Sequence, residues 1–378
     1  MSDGQSRLSR YQSMRDFQES PEPAGDLGPS PPEAPAGQER FVVHEHHATS
    51  LHWDLRLERN GVLASWAVPK GIPPDPRTNH LAVRTEDHPI QYLGFHGEIP
   101  GGNYGAGQMT IWDSGTYEPF KWEDREVVAT FHGRRVSGRY ALFRTRGNQW
   151  MIHRMDPPAD PDRQSFPGLD AFAPMEAVPG RMPAARQRSA FGFEIAWGGR
   201  RVLVHVEGGR VRIRDVETGS ETTGLTPEVR ALGGTVGTTE MLLDGEIIVP
   251  GEGGRPDPER LARRLAARSD SVARRLSRTD AAVVMLSDLL WREGHLTTDL
   301  VYSERRRLLD DLHLAGPAWQ VPPVRPADEG PALVKAVSAQ GLSGVVAKRL
   351  RSQYRPGPAM GDWILIAAVP GGGARASG

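Results

Sequence analysis

The sequence contains no cysteine, which excludes disulfides and thiolate metal sites; a metal can be held only by histidine, aspartate or glutamate. No apolar run approaches the ~18 residues of a membrane helix. The polar N-terminus lacks the apolar core of a signal peptide, so a cytoplasmic location is the default expectation. Neither sign of charge is in excess: 46 Lys and Arg stand against 47 Asp and Glu. A site for a polyanion therefore has to come from a local cluster of basic residues. With 38% hydrophobic and 25% charged residues, the 378-residue chain reads as globular. At ~150 residues per domain that length implies two or three domains.

The densest chemistry lies in residues 44–58, which hold four histidines, three carboxylates and an arginine. Its second half alternates. His52, Asp54 and Arg56 fall on one face of a strand, and Trp53, Leu55 and Leu57 on the other. The polar face is either a solvated face or a site for a metal and an anion. Imidazole and carboxylate together suit a divalent transition metal, and His46, His52, Asp54 and His88 are the candidates. His88 precedes Pro89, which biases its backbone to an extended conformation. Arg56, Lys70 and Arg84 add fixed positive charge, as phosphate chemistry requires. Lys70 in its Pro-Lys-Gly turn reads equally well as a solvated lysine.

Residues 1–39 form a polar lead-in, with Tyr11, Met14 and Phe17 spaced for one helical turn, and a Pro-rich linker from residue 21. Residues 40–156 read as short strands separated by turns, including a hairpin at Asn60 and Gly61, and imply a closed or nearly closed β-structure. Residues 109–112 and 116–120 read as separate strands, and residues 97–107 as too glycine-rich for regular structure. Residues 157–190 are a Pro-rich connector. A second domain, 191–369, mixes helices and strands. Residues 193–197 and 201–206 suit a hairpin joined by Gly198 and Gly199, and residues 258–278 suit one helix carrying seven arginines. The Gly, Ala and Ser tail, 370–378, is expected to be disordered.

His46-x5-His52-Trp-Asp54-Leu-Arg56, Ser65-Trp-Ala-Val-Pro-Lys70-Gly, Leu81-Ala-Val-Arg-Thr-Glu-Asp-His88-Pro, Tyr92 and Gly-Asn-Tyr-Gly-Ala-Gly-x-Met-x-Ile-Trp-Asp113 together resemble the 3′-phosphoesterase domain of bacterial DNA ligase D. The resemblance implies a compact β-barrel whose cavity trims 3′ ends at a DNA break, removing a 3′-ribonucleoside and then the 3′-phosphate, with Mn²⁺ preferred. By position it implies His46, Asp54 and His88 as metal ligands and His52 and Arg56 as phosphate contacts. It adds Tyr92 and Lys70 as further active-site positions and extends to Arg15, Asp16 and Glu22 in the lead-in. One position departs: His80 stands where the family commonly carries a phosphate-contacting arginine.

Glu194-Ile-Ala-Trp-Gly-Gly-Arg-Arg201, Leu243-Asp-Gly-Glu246, Ser287-Asp-Leu-Leu290, Lys348 and Asp362-Trp363 resemble the ordered motifs of the ATP-dependent DNA ligase adenylation domain. Here the departures matter. The nucleophilic lysine position is Ala196 and the motif's aspartate is Gly198, while Ser287, Ser343, Leu365 and Ala367 replace other expected residues. Alanine offers no nucleophile. The resemblance thus implies an α+β multidomain chain: a β-barrel phosphoesterase, then a nucleotidyltransferase-like domain without a following OB-fold, a pseudo-ligase not expected to use ATP covalently. The implied partners are DNA 3′ ends and an end-joining polymerase, ligase or end-binding protein, with a nucleoid-associated location and no membrane. Two alternatives are a non-catalytic DNA-end scaffold, which His80 keeps open, and an active ligase, which Ala196 disfavours.

Overall fold

A computed structural model describes residues 7–25, 34–158, 160–237 and 239–368. The expected tail 370–378 and residues 26–33 of the expected linker lie outside the described residues. The chain divides into two compact units, Met1–Pro161 and Asp162–Gly378.

Among the described residues of the first unit there are ten strands: β1 (Glu39–His47), β2 (Leu51–Arg59), β3 (Val62–Val68), β4 (Asn79–Arg84), β5 (His88–Pro89), β6 (Gly97–Ile99), β7 (Gly107–Glu123), β8 (Glu126–Gly133), β9 (Ser137–Arg146) and β10 (Gln149–Arg154). Eight pair antiparallel in the order β1-β2-β3-β4-β10-β9-β8-β7, and β7 returns to β1 to close the barrel. β5 and β6 pair outside this ring, with β3 and β7. β6 begins the segment expected to be irregular. The two strands expected at 109–112 and 116–120 are one strand of 17 residues, β7. Pro119 does not end it, because the register with β8 shifts between Pro119 and Lys121 and a bulge there accommodates the missing N–H.

The period of two holds in β2, but both of its faces are buried. Trp53, Leu55 and Leu57 point into the barrel and pack with Phe41, Trp66, Tyr117 and Phe131. Closure thus gives a filled interior, and each such large side chain contributes roughly 1.5–3 kcal/mol by leaving water. The opposite face, expected to be solvent or site, lies outside the barrel wall under a second layer. There a short helix (Ser9–Ser13), the turn Ile90–Gly94 and the loop before β7 pack around Tyr11, Leu63, Tyr92, Phe95, Ile99 and Met109. The lead-in is held down by Tyr11, whose hydroxyl donates to the Pro23 carbonyl at 2.7 Å.

The second unit contains two main sheets. Phe191–Ala196 pairs with Gly344–Arg349, followed outward by Trp363–Ala367. Arg200–Glu207 lies in the other sheet, between Arg210–Asp215 and Met241–Ile248, with Val283–Arg292 next. The expected hairpin across Gly198 and Gly199 is therefore incorrect. Phe191 and Phe193 pack with Val337 and Val345, whereas Val202, Val204 and Val206 belong to another core. Gly198, at φ 70°, carries the chain from one sheet to the other. The expected helix over 258–278 is two helices, Pro258–Leu265 and Asp270–Leu276. Ser269 separates them by accepting a hydrogen bond from the Val272 amide as the N-cap of the second. Its arginines are not all solvated: Arg264 is fully buried against Glu228, and Arg260 and Arg263 face Asp280.

Candidate active site

A cavity of about 220 Å³ lies between the outer face of β1–β3 and the layer above it, and Arg15, Glu22, His46, His52, Asp54, Arg56, His88 and Tyr92 all line it. Eight of the ten residues that the resemblance assigned to the site therefore converge, whereas Arg84 pairs with Asp87 and is not among the lining residues. Lys70 is exposed in the turn after β3 and is not among the lining residues. Asp16 lies in an adjoining cleft, where its carboxylate accepts from the Gln18 amide at 2.9 Å.

Strand register assembles the centre. His46 faces His52, and His44 faces Asp54, across the β1–β2 pair. Backbone carbonyls fix the imidazole tautomers, because a carbonyl can only accept. His46 donates from Nε2 to Gly105 O at 2.9 Å, and His52 donates from Nδ1 to Ser50 O at 3.0 Å. The remaining nitrogens turn to one carboxylate: His46 Nδ1 is 3.5 Å from Asp54 Oδ2, and His52 Nε2 is 3.6 Å from Oδ1. Burial alone would raise the Asp54 pKa, but Arg56, His46 and His52 hold it well below the usual carboxylate range. Two imidazole nitrogens and a carboxylate thus converge on one point, a donor set that a divalent cation fits. The ligand atoms of His46, His52 and Asp54 lie within 4.8 Å of one another.

His88 lines the same cavity but is not a member of that group. Its Nδ1 donates to Glu86 O at 2.9 Å, and its Nε2 accepts from Arg15 Nη2 at 3.3 Å. Burial, then the charges of Arg56 and Arg15, push its pKa well down, so the ring is neutral. The geometry thus groups His52 with His46 and Asp54, where the resemblance implied His88.

Two arginines are held rigidly. Arg56 donates to Asp54 at 3.0 Å, Ser65 Oγ at 3.1 Å and His44 Nδ1 at 3.3 Å. His44 donates from Nε2 to Phe95 O at 3.0 Å, and burial followed by Arg56 lowers its pKa to about 3. Arg15 pairs with Glu22 at 2.7 Å and Glu86 at 2.9 Å. Glu22 also accepts from the Tyr92 hydroxyl and from Ser20 Oγ. His44, Ser65, Glu86 and Ser20 were not singled out from the sequence. His44 alone left a signal, two residues before His46 on the same strand face. His80 donates from Nδ1 to Gly71 O at 2.7 Å and is also absent from the cavity lining, so its contact is with the turn that carries Lys70.

In the second unit a cavity of about 80 Å³ lies between the two sheets and is lined by Glu194, Arg201, Asp244, Glu246, Lys348 and Trp363, among others. Ala196 ends its strand without a side chain that could react. Lys348, 3% exposed, pairs with Glu194 at 2.8 Å and lies 4.3 Å from the Trp363 ring centre. Glu194 also accepts from the Tyr302 hydroxyl. Arg201 bonds both oxygens of Asp244, at 3.0 and 2.6 Å. A Cβ on Gly198 would meet Ser343 Oγ at 2.0 Å. His205, Glu207 and Glu240 form another group of possible ligands, but Glu240 is engaged by Trp291 Nε1 at 3.0 Å and by Arg163 at 4.0 Å.

The chain is a closed antiparallel barrel carrying a His/Asp/Arg cavity followed by a two-sheet α+β unit, and comparison with known proteins specifies the families of both. Residues 44–144 match the DNA ligase D 3′-phosphoesterase domain, and residues 174–366, just over half of the chain, match the ATP dependent DNA ligase domain. The chain belongs to the ATP-dependent DNA ligase family and joins a DNA ligase D 3′-phosphoesterase domain to a ligase adenylation-type domain. It is 40% identical over 371 residues to the multifunctional non-homologous end joining protein LigD of Mycolicibacterium smegmatis, covering 95% of this chain and 45% of that protein. The Mycobacterium tuberculosis LigD is 39% identical over 362 residues, with the same coverage. The ligase domain of M. tuberculosis LigD matches 52% of this chain and 61% of its own, at 30% identity and a TM-score of 0.45. The chain spans about half the length of the curated relatives it matches. Arg15, Asp16 and Glu22 precede the matched phosphoesterase residues. No helix among the described residues is long and apolar enough to cross a membrane.

Proposed function

We propose that the first unit is a divalent-metal-dependent phosphoesterase that removes 3′-phosphates and 3′-ribonucleosides from DNA ends during double-strand break repair by end joining. The observation that carries this reading is the facing of His46 Nδ1 and His52 Nε2 on Asp54, with both rings tied back through their other nitrogens. His46, His52 and Asp54 would hold the cation, and their nitrogen and oxygen donors without thiolate suit Mn²⁺. When bound, such an ion polarises a phosphoryl oxygen and lowers the pKa of water.

The chain's own residues supply the rest. Arg56 and Arg15, fixed by carboxylates and by Ser65 and His44, present positive charge to the phosphate without reorganising as charge builds up. His88, held neutral and accepting from Arg15 through Nε2, suits positioning that guanidinium; it does not suit protonating a leaving oxygen. Tyr92 is pushed far above its ordinary pKa by burial, then by Tyr11, and partly relieved by Arg56, so it acts as a hydroxyl that orients Glu22 and through it Arg15.

The second unit is read as a pseudo-ligase, in which Ala196 leaves no atom to attack the α-phosphate of ATP and Glu194 engages the remaining lysine. The test uses a 3′-phosphorylated primer-template with Mn²⁺. Conversion to a 3′-hydroxyl that stops on adding a chelator supports the reading. Binding of the same DNA without conversion favours a non-catalytic end scaffold.

A further inference from the structure

Beside the metal-facing cavity lies an open cleft between residues 13–18 and the glycine-rich loop before β7. Arg15 and Tyr104 line both hollows, so the cleft continues directly from the place where a phosphate would sit. Tyr104 is 48% exposed, whereas Tyr11 and Tyr92 beside it are fully buried. Its ring lies 5.3 Å from the Arg15 guanidinium carbon, and the same guanidinium lies 3.9 Å from the Tyr11 ring. The loop is held in place: Asn103 N donates to Pro100 O, Ala106 N donates to Asn103 O, and the Gly105 carbonyl accepts from His46. Leaving a large aromatic half exposed on a pinned loop, one residue from a contact to the cluster, forgoes burial energy unless something covers it. The amides of Asn103 and Gln18 in the same cleft supply donors and acceptors for a flat polar group.

We infer that this cleft is a binding subsite for the nucleobase of the 3′-terminal nucleotide, which stacks on Tyr104 while its 3′-phosphate lies over the His46, His52 and Asp54 cluster. Stacking on a ring is indifferent to base identity, so the subsite would grip ends of any sequence. It would also favour a nucleotide over a simple phosphate ester, because only the nucleotide spans both hollows. The inference rests on the phosphoesterase reading and deepens it.

The experiment compares two Mn²⁺-loaded substrates with Tyr104→Ala and Tyr104→Phe. One is a 3′-phosphorylated primer-template with a normal terminal base, and the other has an abasic terminal nucleotide. Tyr104→Ala is expected to lower kcat/KM on the normal end on the order of 10- to 100-fold, as loss of one base–aromatic stack does. It should leave the abasic end within about twofold, because no stack is there to lose, and Tyr104→Phe should retain wild-type behaviour. An equal fall on both substrates would overturn the subsite and make Tyr104 a support for the Gly105 contact to His46. No fall on either would overturn it too. A second readout needs no turnover: 2-aminopurine placed at the 3′-terminal position should be quenched on binding wild type and not on binding Tyr104→Ala. If wild type cleaves neither substrate, the phosphoesterase reading fails. Loss of that quenching in Tyr104→Ala then still supports the subsite, and its persistence overturns it.

Discussion

The two cavities invite comparison because both are lined by the same kinds of residue and differ in what those residues are left to do. In the first unit the charged groups are over-determined toward one point. His46 and His52 each spend one nitrogen on a carbonyl and aim the other at Asp54, and Arg15 and Arg56 are braced by carboxylates yet still line the cavity. In the second unit most of the charges are paired with one another: Lys348 with Glu194 and Arg201 with Asp244 at the cavity, and the fully buried Arg305 with Asp288 away from its lining, while Glu246 accepts from the Gly199 amide. A frame of charges says little about chemistry when most of its members are paired inside the fold. What separates the cavities is whether possible ligand atoms converge on one point, as those of His46, His52 and Asp54 do.

The largest expected effect tests that contrast directly. His46→Ala or Asp54→Ala should reduce 3′-phosphate removal by at least on the order of 10³-fold, since a bound metal supplies several kcal/mol of transition-state stabilisation. Wild-type protein incubated with labelled ATP should form no lysyl adduct that survives denaturation. A labelled band at stoichiometric yield would break the comparison, by showing that the second cavity finds another nucleophile.

Part of this contrast was legible in the sequence. Alternation in β2 identified both faces, because a strand's period does not depend on where the strand sits, and Ala196 and Gly198 could be read as departures from the ligase motif without coordinates. Other parts depended on pairing between distant segments. That the polar face of β2 lies outside the barrel follows from β7 closing on β1, more than sixty residues away in sequence. The place of His52 beside His46 and Asp54 follows from the β1–β2 register and from Ser50 and Gly105 carbonyls that fix ring orientation; sequence carries the histidines but not their tautomers. The false hairpin across Gly198 and Gly199 arose because a two-glycine turn looks alike whether strands fold back on each other or part into separate sheets.

A stability experiment sharpens the comparison in the second unit. Lys348→Met leaves Glu194 buried without its closest cation and should cost about 3–5 kcal/mol, as breaking a buried pair does. For a unit of this size that is a fall in Tm of roughly 2–4 °C per kcal/mol, read by calorimetry. Removal of 3′-phosphate at 25 °C should be unchanged. If Lys348→Met left Tm unaltered, the ion pair would not be the force that fills this cavity.

Acid should separate the units in metal-free protein. His44 is held to a pKa of about 3 by burial and by Arg56, and His88 is shifted in the same direction. Below pH 6.5 the unfolded chain binds protons that these folded rings refuse. The first unit therefore loses stability as pH falls toward 3, by about 1.4 kcal/mol per pH unit for each ring. Asp244 behaves differently. Burial would raise its pKa, but Arg201 outweighs that and keeps it depressed, so its contribution fades only below the ordinary carboxylate value of 3.8. Hydrogen exchange at pH 6.5 and pH 5, corrected for intrinsic rates, should show protection falling in residues 39–154 before residues 191–367. Equal loss in both would refute this assignment.

The smallest expected effect concerns Lys70 and His80, neither of which is among the residues lining the first cavity. Lys70 is exposed, and His80 anchors its turn through the Gly71 carbonyl rather than contacting the cavity. A solvated ammonium contributes by drawing in the DNA, a role that salt screens within about 10 Å at 0.1 M. Lys70→Ala should therefore raise KM by about three- to fivefold at low salt, a loss of up to about 1 kcal/mol. It should leave kcat within twofold, and the difference should vanish by about 0.3 M salt. His80→Ala, by loosening the same turn, should reproduce the KM effect, and adding it to Lys70→Ala should change nothing further, because both act through one position. A fall in kcat for either variant would move the edge of the catalytic cavity outward to include that turn, and the two units would then differ in reach as well as in charge arrangement.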